Sequence, residues 1–173
     1  KLIKKNKKKG VFTIGMIGSY KINKGYDLII ENYSKIKKII PNSRIEAYGA
    51  ENPSKYKKIN KQKKISFFKF NKFDKNIINK LVNFDILLHP SFREGLSVSI
   101  MQSLQYGIPV IARNIAGNKD LIRNNYNGYL FNNNIEMLNF LKKIFSNKTL
   151  RKKLSKNASK SIDYKFLKKL INE

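Results

Sequence analysis

FDILLHPSFREGLSVSIMQSLQYGIPVIAR, residues 84 to 113, reads as strand, loop, helix and strand in succession. FDILLHPS (84 to 91) is a short apolar run ending at a proline, the mark of a buried strand. Helical spacing then holds from about Gly95 to Tyr106, and PVIAR (109 to 113) is a second apolar run. A strand that reaches the next through a helix makes a parallel crossover, and parallel sheets are covered by helices on both faces.

The same alternation extends to either side. Upstream, VFTIGMIG (11 to 18) is a strand, and Tyr26, Ile29, Ile30, Tyr33, Ile36 and Ile40 keep a helical period until Pro41. RIEAYG (44 to 49) and ISFFKF (65 to 70) are strands separated by a lysine-rich helix or loop, and a helix over roughly 74 to 83 follows. Downstream come a short helix near Lys119 to Arg123, the strand GYLF (128 to 131) and a helical tail from about Ile135. In that tail Leu138, Leu141, Ile144 and Phe145 form one stripe, continued by Leu150 and Leu154 and then by Phe166, Leu167 and Leu170. About six strands, each followed by a helix, predict an α/β domain with a doubly wound, Rossmann-like parallel sheet. Its ligand loops are then those after Gly18, Gly49, Phe70, Ser91 and Arg113, at the carboxyl ends of the strands.

The chain of 173 residues suits a single core. Residues 1 to 10 read as a basic linker and 11 to 173 as the domain; the absence of an initial Met points to a start within a longer protein. Without cysteine and with one histidine, neither a disulfide framework nor a zinc cage is available. No apolar run approaches the roughly 20 residues that span a bilayer. The net charge of +26 would attract phosphates, nucleic acid or an anionic membrane surface, although lysine as solvated surface explains it equally well. Nucleic acid is disfavoured, because no recognition motif accompanies the charge. A cytoplasmic protein, peripheral on the inner face of the membrane at most, is the expectation.

Chemistry is expected where the strand at 84 to 91 hands over to the helix. Gly95 there lets backbone approach a ligand, and unpaired amides of Gly95, Leu96, Ser97 and Val98 with the helix dipole would hold a diphosphate without metal. If largely helical, the path from Glu94 to Gln102 covers about 12 Å, room for a sugar at one end and a ribose at the other.

The stretch SFREGLSVSIMQSLQYGIPVIARNIAGNKDLIRNNYNGYLF (91 to 131) resembles the signature of the retaining glycosyltransferases of family 4, enzymes of two-domain GT-B fold. Pro90, Ser91, Glu94, Gly95, Gly107, Pro109, Val110, Gly117, Asp120 and Gly128 fall in step, and GMIGSYKINKGYDLII resembles the family's phosphate loop with its Lys-Gly helix start. The resemblance covers nearly the whole chain but only the C-terminal half of such an enzyme. It implies a nucleoside-diphosphate sugar donor, UDP- or GDP-linked, no metal, and an N-terminal acceptor-binding domain in cis. It further implies that Glu94 contacts the donor sugar, Lys24 neutralises the leaving diphosphate, Gly18 and Ser19 line the phosphate loop, and position 102 binds the ribose.

Two positions depart from the pattern. Gln102 stands where the family has a second glutamate and offers a weaker grip on a diol than a carboxylate. Ser19 stands where the family has an arginine, with Lys21 as the candidate compensation. Lys69 replaces a glycine after its strand, in the region that packs on the base, and His89 reads as a hydrogen-bonded structural residue. Transfer of sugar to polysaccharide or glycolipid is the leading reading. Half of a sugar-nucleotide epimerase, or a non-catalytic basic module on the same fold, are the alternatives.

Overall fold

Phe12–Ile17 forms the first strand, β1, at the centre of the sheet. The computed structural model describes residues 10–162; the expected linker residues 1 to 9 and the apolar positions Phe166, Leu167 and Leu170 lie outside them. After β1 come a 3-10 turn (Ile22–Lys24), α1 (Tyr26–Glu31), α2 (Tyr33–Ile39) and β2 (Ser43–Gly49). Next are α3 (Ser54–Gln62), β3 (Phe68–Lys72), α4 (Ile77–Leu81) and β4 (Ile86–His89). The chain continues through α5 (Val98–Gln105), β5 (Val110–Arg113), α6 (Ala116–Lys119), β6 (Gly128–Phe131), α7 (Asn134–Ser146) and α8 (Lys148–Ala158).

The six strands pair in the order β3-β2-β1-β4-β5-β6, all parallel. This is the doubly wound, Rossmann-like sheet that the alternation predicts. Register holds the apolar positions level: Ile14 of β1 lies opposite Ile45 on one side and Ile86 on the other. Alternate side chains enter opposite faces, so both faces are dry. Ile14, Met16, Ile45, Phe70 and Leu88 pack under α1, α2, α3 and α7, while Leu87, Val110 and Ala112 pack with Leu81, Ile100, Leu104 and Ala158 on the other face.

Several boundaries differ from the expectation. The helix expected from Gly25 to Ile40 is two helices that meet at Asn32, where the backbone opens to φ −95° and ψ 8° while its main-chain and side-chain amides both donate to Leu28 O. The segment left as helix or loop is α3, amphipathic around buried Tyr56 and Asn60. The short helix expected at Lys119 to Arg123 is instead α6, starting earlier at Ala116. β3 begins and ends later than ISFFKF, so Lys69 lies within a strand rather than in a loop that could pack on a base. That strand is the sheet edge, where an exposed lysine blocks pairing with another chain.

Candidate functional site

Strand order reverses between β1 and β4, and the carboxyl ends at such a reversal are where doubly wound sheets bind ligands. Two loops meet there. Gly25 adopts φ 74°, a left-handed conformation natural to glycine, and a Cβ there would stand 2.6 Å from Pro90 O. The Phe92 amide donates to Asn23 O at 2.8 Å, and the Ser91 hydroxyl reaches the same carbonyl at 3.1 Å. These contacts fasten the loop after β1 to the loop after β4.

The result is a close constellation that brings Lys24 to His89 and to Glu94, the latter 70 positions further along the chain. Lys24 Nζ donates to Glu94 Oε1 at 2.6 Å, and His89 Nε2 lies 3.0 Å from the same oxygen. Ser97 Oγ stands 3.5 Å from His89 Nε2. The side chains of Lys24, Glu94 and His89 are 22%, 11% and 5% exposed, so the pair faces solvent only at one edge. Burial pushes the Glu94 carboxyl up, but hydrogen bonds from His89 and Lys24 outweigh it and hold the group at about 2. Glu94 is therefore ionised throughout the physiological range. Lys24 has three N–H donors, so one can rest on Glu94 while two remain for another oxygen.

The helix starts later than expected. Ser97, not Glu94, is the N-cap of α5, its hydroxyl accepting from the Ile100 amide at 3.4 Å. Gly95 and Leu96 belong to the preceding loop, so only the five residues from Val98 to Gln102 rise helically and the 12 Å path does not hold as drawn. The donor surface nevertheless survives. Among the described residues, the amides of Gly95, Leu96, Ser97, Val98 and Ser99 meet no acceptor. A Cβ on Gly95 would find nothing within 4 Å. On the far side of the loop the packing is tight, since a Cβ on Gly117 would stand 1.7 Å from Gly95 O.

Of the other expected site residues, Gly18 and Ser19 are half-buried in the loop after β1, Leu96 and Val98 are exposed beside Gly95, and Gln102 is half-buried on α5. Lys21 is exposed and pairs with Glu51 at 3.5 Å, which occupies the cation offered as compensation for Ser19. His89 is hydrogen-bonded, as read, but its partner is the site carboxylate. Arg113, which the sequence reading passed over, ends β5 with its guanidinium 4.0 Å from the centroid of the Phe92 ring. A cation closing an otherwise apolar strand was the available signal. Among the described residues no group of three or more His, Cys, Asp or Glu could hold a metal ion, and no helix is long and apolar enough to cross a membrane. A cavity of about 450 Å³ lies at the opposite end of the sheet between Pro109 and Arg151.

Comparison with known proteins finds relatives of both the sequence and the fold. The sequence profile of the family described as Glycosyl transferases group 1 matches residues 1–161. Protein CapJ of Staphylococcus aureus is 32% identical over 120 residues, which is 65% of this chain and 30% of CapJ. The Escherichia coli UDP-Gal:alpha-D-GlcNAc-diphosphoundecaprenol alpha-1,3-galactosyltransferase is 34% identical over 89 residues, covering 50% of this chain and 23% of that enzyme. The chain thus spans less than a third of these relatives. Among solved structures, a mutant of S. aureus TarM in complex with Fondaparinux, alpha-GlcNAc-glycerol and UDP superposes with a TM-score of 0.82 at 22% identity, over 96% of this chain and 36% of that one. The C-terminal domain of the group 1 family protein LpcC from Francisella tularensis gives 0.75 at 23% identity, over 86% and 83% of the respective chains. These likenesses show a shared fold.

Proposed function

The chain belongs to the group 1 glycosyltransferases, and from that premise we propose that it is the donor-binding half of a GT-B enzyme, gripping a nucleoside-diphosphate sugar for metal-independent transfer with retention of configuration. One observation carries the proposal: a run of acceptor-free amides from Gly95 to Ser99 borders open space at Gly95, on the same loop as an ionised Glu94 that a lysine of the neighbouring loop holds. Amides without acceptors at a helix start bind an oxyanion, and they do so without a metal. TarM bound to UDP and the galactosyltransferase named for UDP-Gal support a uridine nucleotide as the first to try.

In the proposed reaction the bond between the sugar and the diphosphate breaks, and the departing phosphate gathers negative charge. The α5 N-terminus and the two remaining N–H groups of Lys24 stabilise that charge as fixed donors, which need not reorganise as it develops. Glu94, held by Lys24 and His89, presents a carboxylate to sugar hydroxyls. Gln102, further along α5, accepts from the ribose with one carbonyl oxygen. The acceptor comes with an N-terminal domain, and this chain alone binds donor but transfers little.

Calorimetric titration with UDP-, GDP- and ADP-sugars in EDTA tests the reading. One of them binds, and Glu94→Gln weakens the sugar-linked ligand more than the bare nucleoside diphosphate. If no sugar nucleotide binds to a folded chain, the proposal is wrong.

A further inference from the structure

A diphosphate brings at least two negative charges, and the cations expected to meet them are largely spent. Lys24 is compensated by Glu94 at 2.6 Å, Lys21 pairs with Glu51 at 3.5 Å, and Ser19 carries no charge. Arg113 stands differently. Its Nε donates to Pro90 O at 3.2 Å, and its guanidinium carbon lies 4.0 Å from the Phe92 centroid and 5.3 Å from that of Phe131. Among the described residues its Nη groups have no acceptor, and no carboxylate pairs with it. A half-buried cation without a counter-ion is an unfavourable arrangement unless an anion arrives.

Resting on the donor-site reading above, we propose that Arg113 is a phosphate-binding residue of this crevice, taking a diphosphate on its free guanidinium edge. Three contacts fix the group before any ligand binds. Its backbone carbonyl anchor comes from the same loop that carries Glu94 and Gly95, so the phosphate site and the sugar site share one frame. Burial also lowers the arginine's proton affinity somewhat, a penalty that a bound anion would remove. Exposed Arg93 sits on the same loop, but among the described residues its guanidinium makes no hydrogen bond or ion pair, and ordering it would cost side-chain entropy that Arg113 has already lost. The diphosphate is that of the donor, or one that links an acceptor to its carrier; both present the same oxygens.

Calorimetry at low salt on the wild-type chain and on Arg113→Met, Arg113→Lys and Arg93→Met separates the cases, with inorganic pyrophosphate, UDP and geranyl diphosphate as probes. Loss of a charge-assisted pair lowers affinity about tenfold, so Arg113→Met binds pyrophosphate and UDP about tenfold more weakly. Arg113→Lys recovers part of the loss by keeping the charge, and Arg93→Met changes affinity less than about twofold. Unchanged UDP binding with weaker geranyl diphosphate binding assigns the phosphate to the acceptor side. The proposal is overturned if Arg113→Met binds all three probes like wild type. It is equally overturned if Arg113→Lys is as weak as Arg113→Met and both melt early, since Arg113 is then only a loop clamp. Wild-type chain that binds UDP while the variants match it costs the arginine its role and leaves the donor site standing; wild-type chain that binds none of the probes removes both.

Discussion

Replacing Gly95 by alanine separates folding from ligand binding at one atom. The new methyl meets nothing within 4 Å, and the backbone at Gly95 is not in the left-handed region that disfavours side chains. Stability should therefore stay within about 0.5 kcal/mol of wild type, the range of surface substitutions. Binding should not survive so well. An oxyanion must come within about 2.9 Å of the amides, whereas a methyl keeps oxygen at least about 3.3 Å from its own carbon. One or two charge-assisted hydrogen bonds from the Gly95 to Ser99 run are then stretched or lost, at about 1.5 to 3 kcal/mol each. UDP affinity falls by roughly 10- to 100-fold. Thermal melting and calorimetric titration on one preparation measure both quantities. Equal melting temperature with equal UDP affinity would show that the phosphate sits elsewhere, and a melting temperature several degrees lower would show that the space is not open.

Gly117→Ala gives the opposite signature, because its Cβ would stand 1.7 Å from Gly95 O and must push the loop aside. A loss of about 1 to 3 kcal/mol in urea unfolding, together with weakened UDP binding, is expected; a variant as stable as wild type contradicts the packing. Holding the Glu94 carboxyl at about 2 rather than 4.5 contributes about 3 kcal/mol to folding. Because its proton affinity is lowered by folding, that contribution is complete above pH 4.5 and lost as pH falls toward 2, so the stability gap between wild type and Glu94→Gln should shrink across that window. Gln102→Glu restores a carboxylate for the ribose and should tighten UDP binding about tenfold; unchanged or weaker binding means that Gln102 does not face the ribose.

The architecture was legible because strand and helix periods alternate cleanly and the central strands are apolar on both faces, as in VFTIGMIG and FDILLHPS. What escaped were local features of the backbone. A helix breaks at Asn32, where φ −95° and ψ 8° leave the helical region, and α5 starts three residues past Gly95, capped by the Ser97 hydroxyl. Neither breaks the apolar spacing, so periodicity carries no trace of them. At the site, residue types could be read while their pairings could not. Lys24 and Glu94 are separated by 70 positions, and only the stitching of two loops at Asn23 O brings them to 2.6 Å. Arg113 was invisible for the same reason, its anchors being Pro90, Phe92 and Phe131 on three other segments.

The two departures from the family pattern make sense once the grip is divided between backbone and side chains. The amides from Gly95 to Ser99 are held in place by main-chain contacts: Gly25 against Pro90, the Phe92 amide on Asn23 O, and Gly117 against Gly95 O. None of these depends on what occupies position 19 or 102. A serine at 19 removes one cation, and a glutamine at 102 removes one anion, so the pair of changes leaves the net charge of the crevice unaltered while the amide surface stays intact. On the proposed donor-site reading, the substitutions change where charge stands relative to a diphosphate, with one cation fewer in the loop after β1 and one carboxylate fewer on α5. An unpaired guanidinium at the end of β5 then becomes the cation best placed to decide how tightly a diphosphate is held.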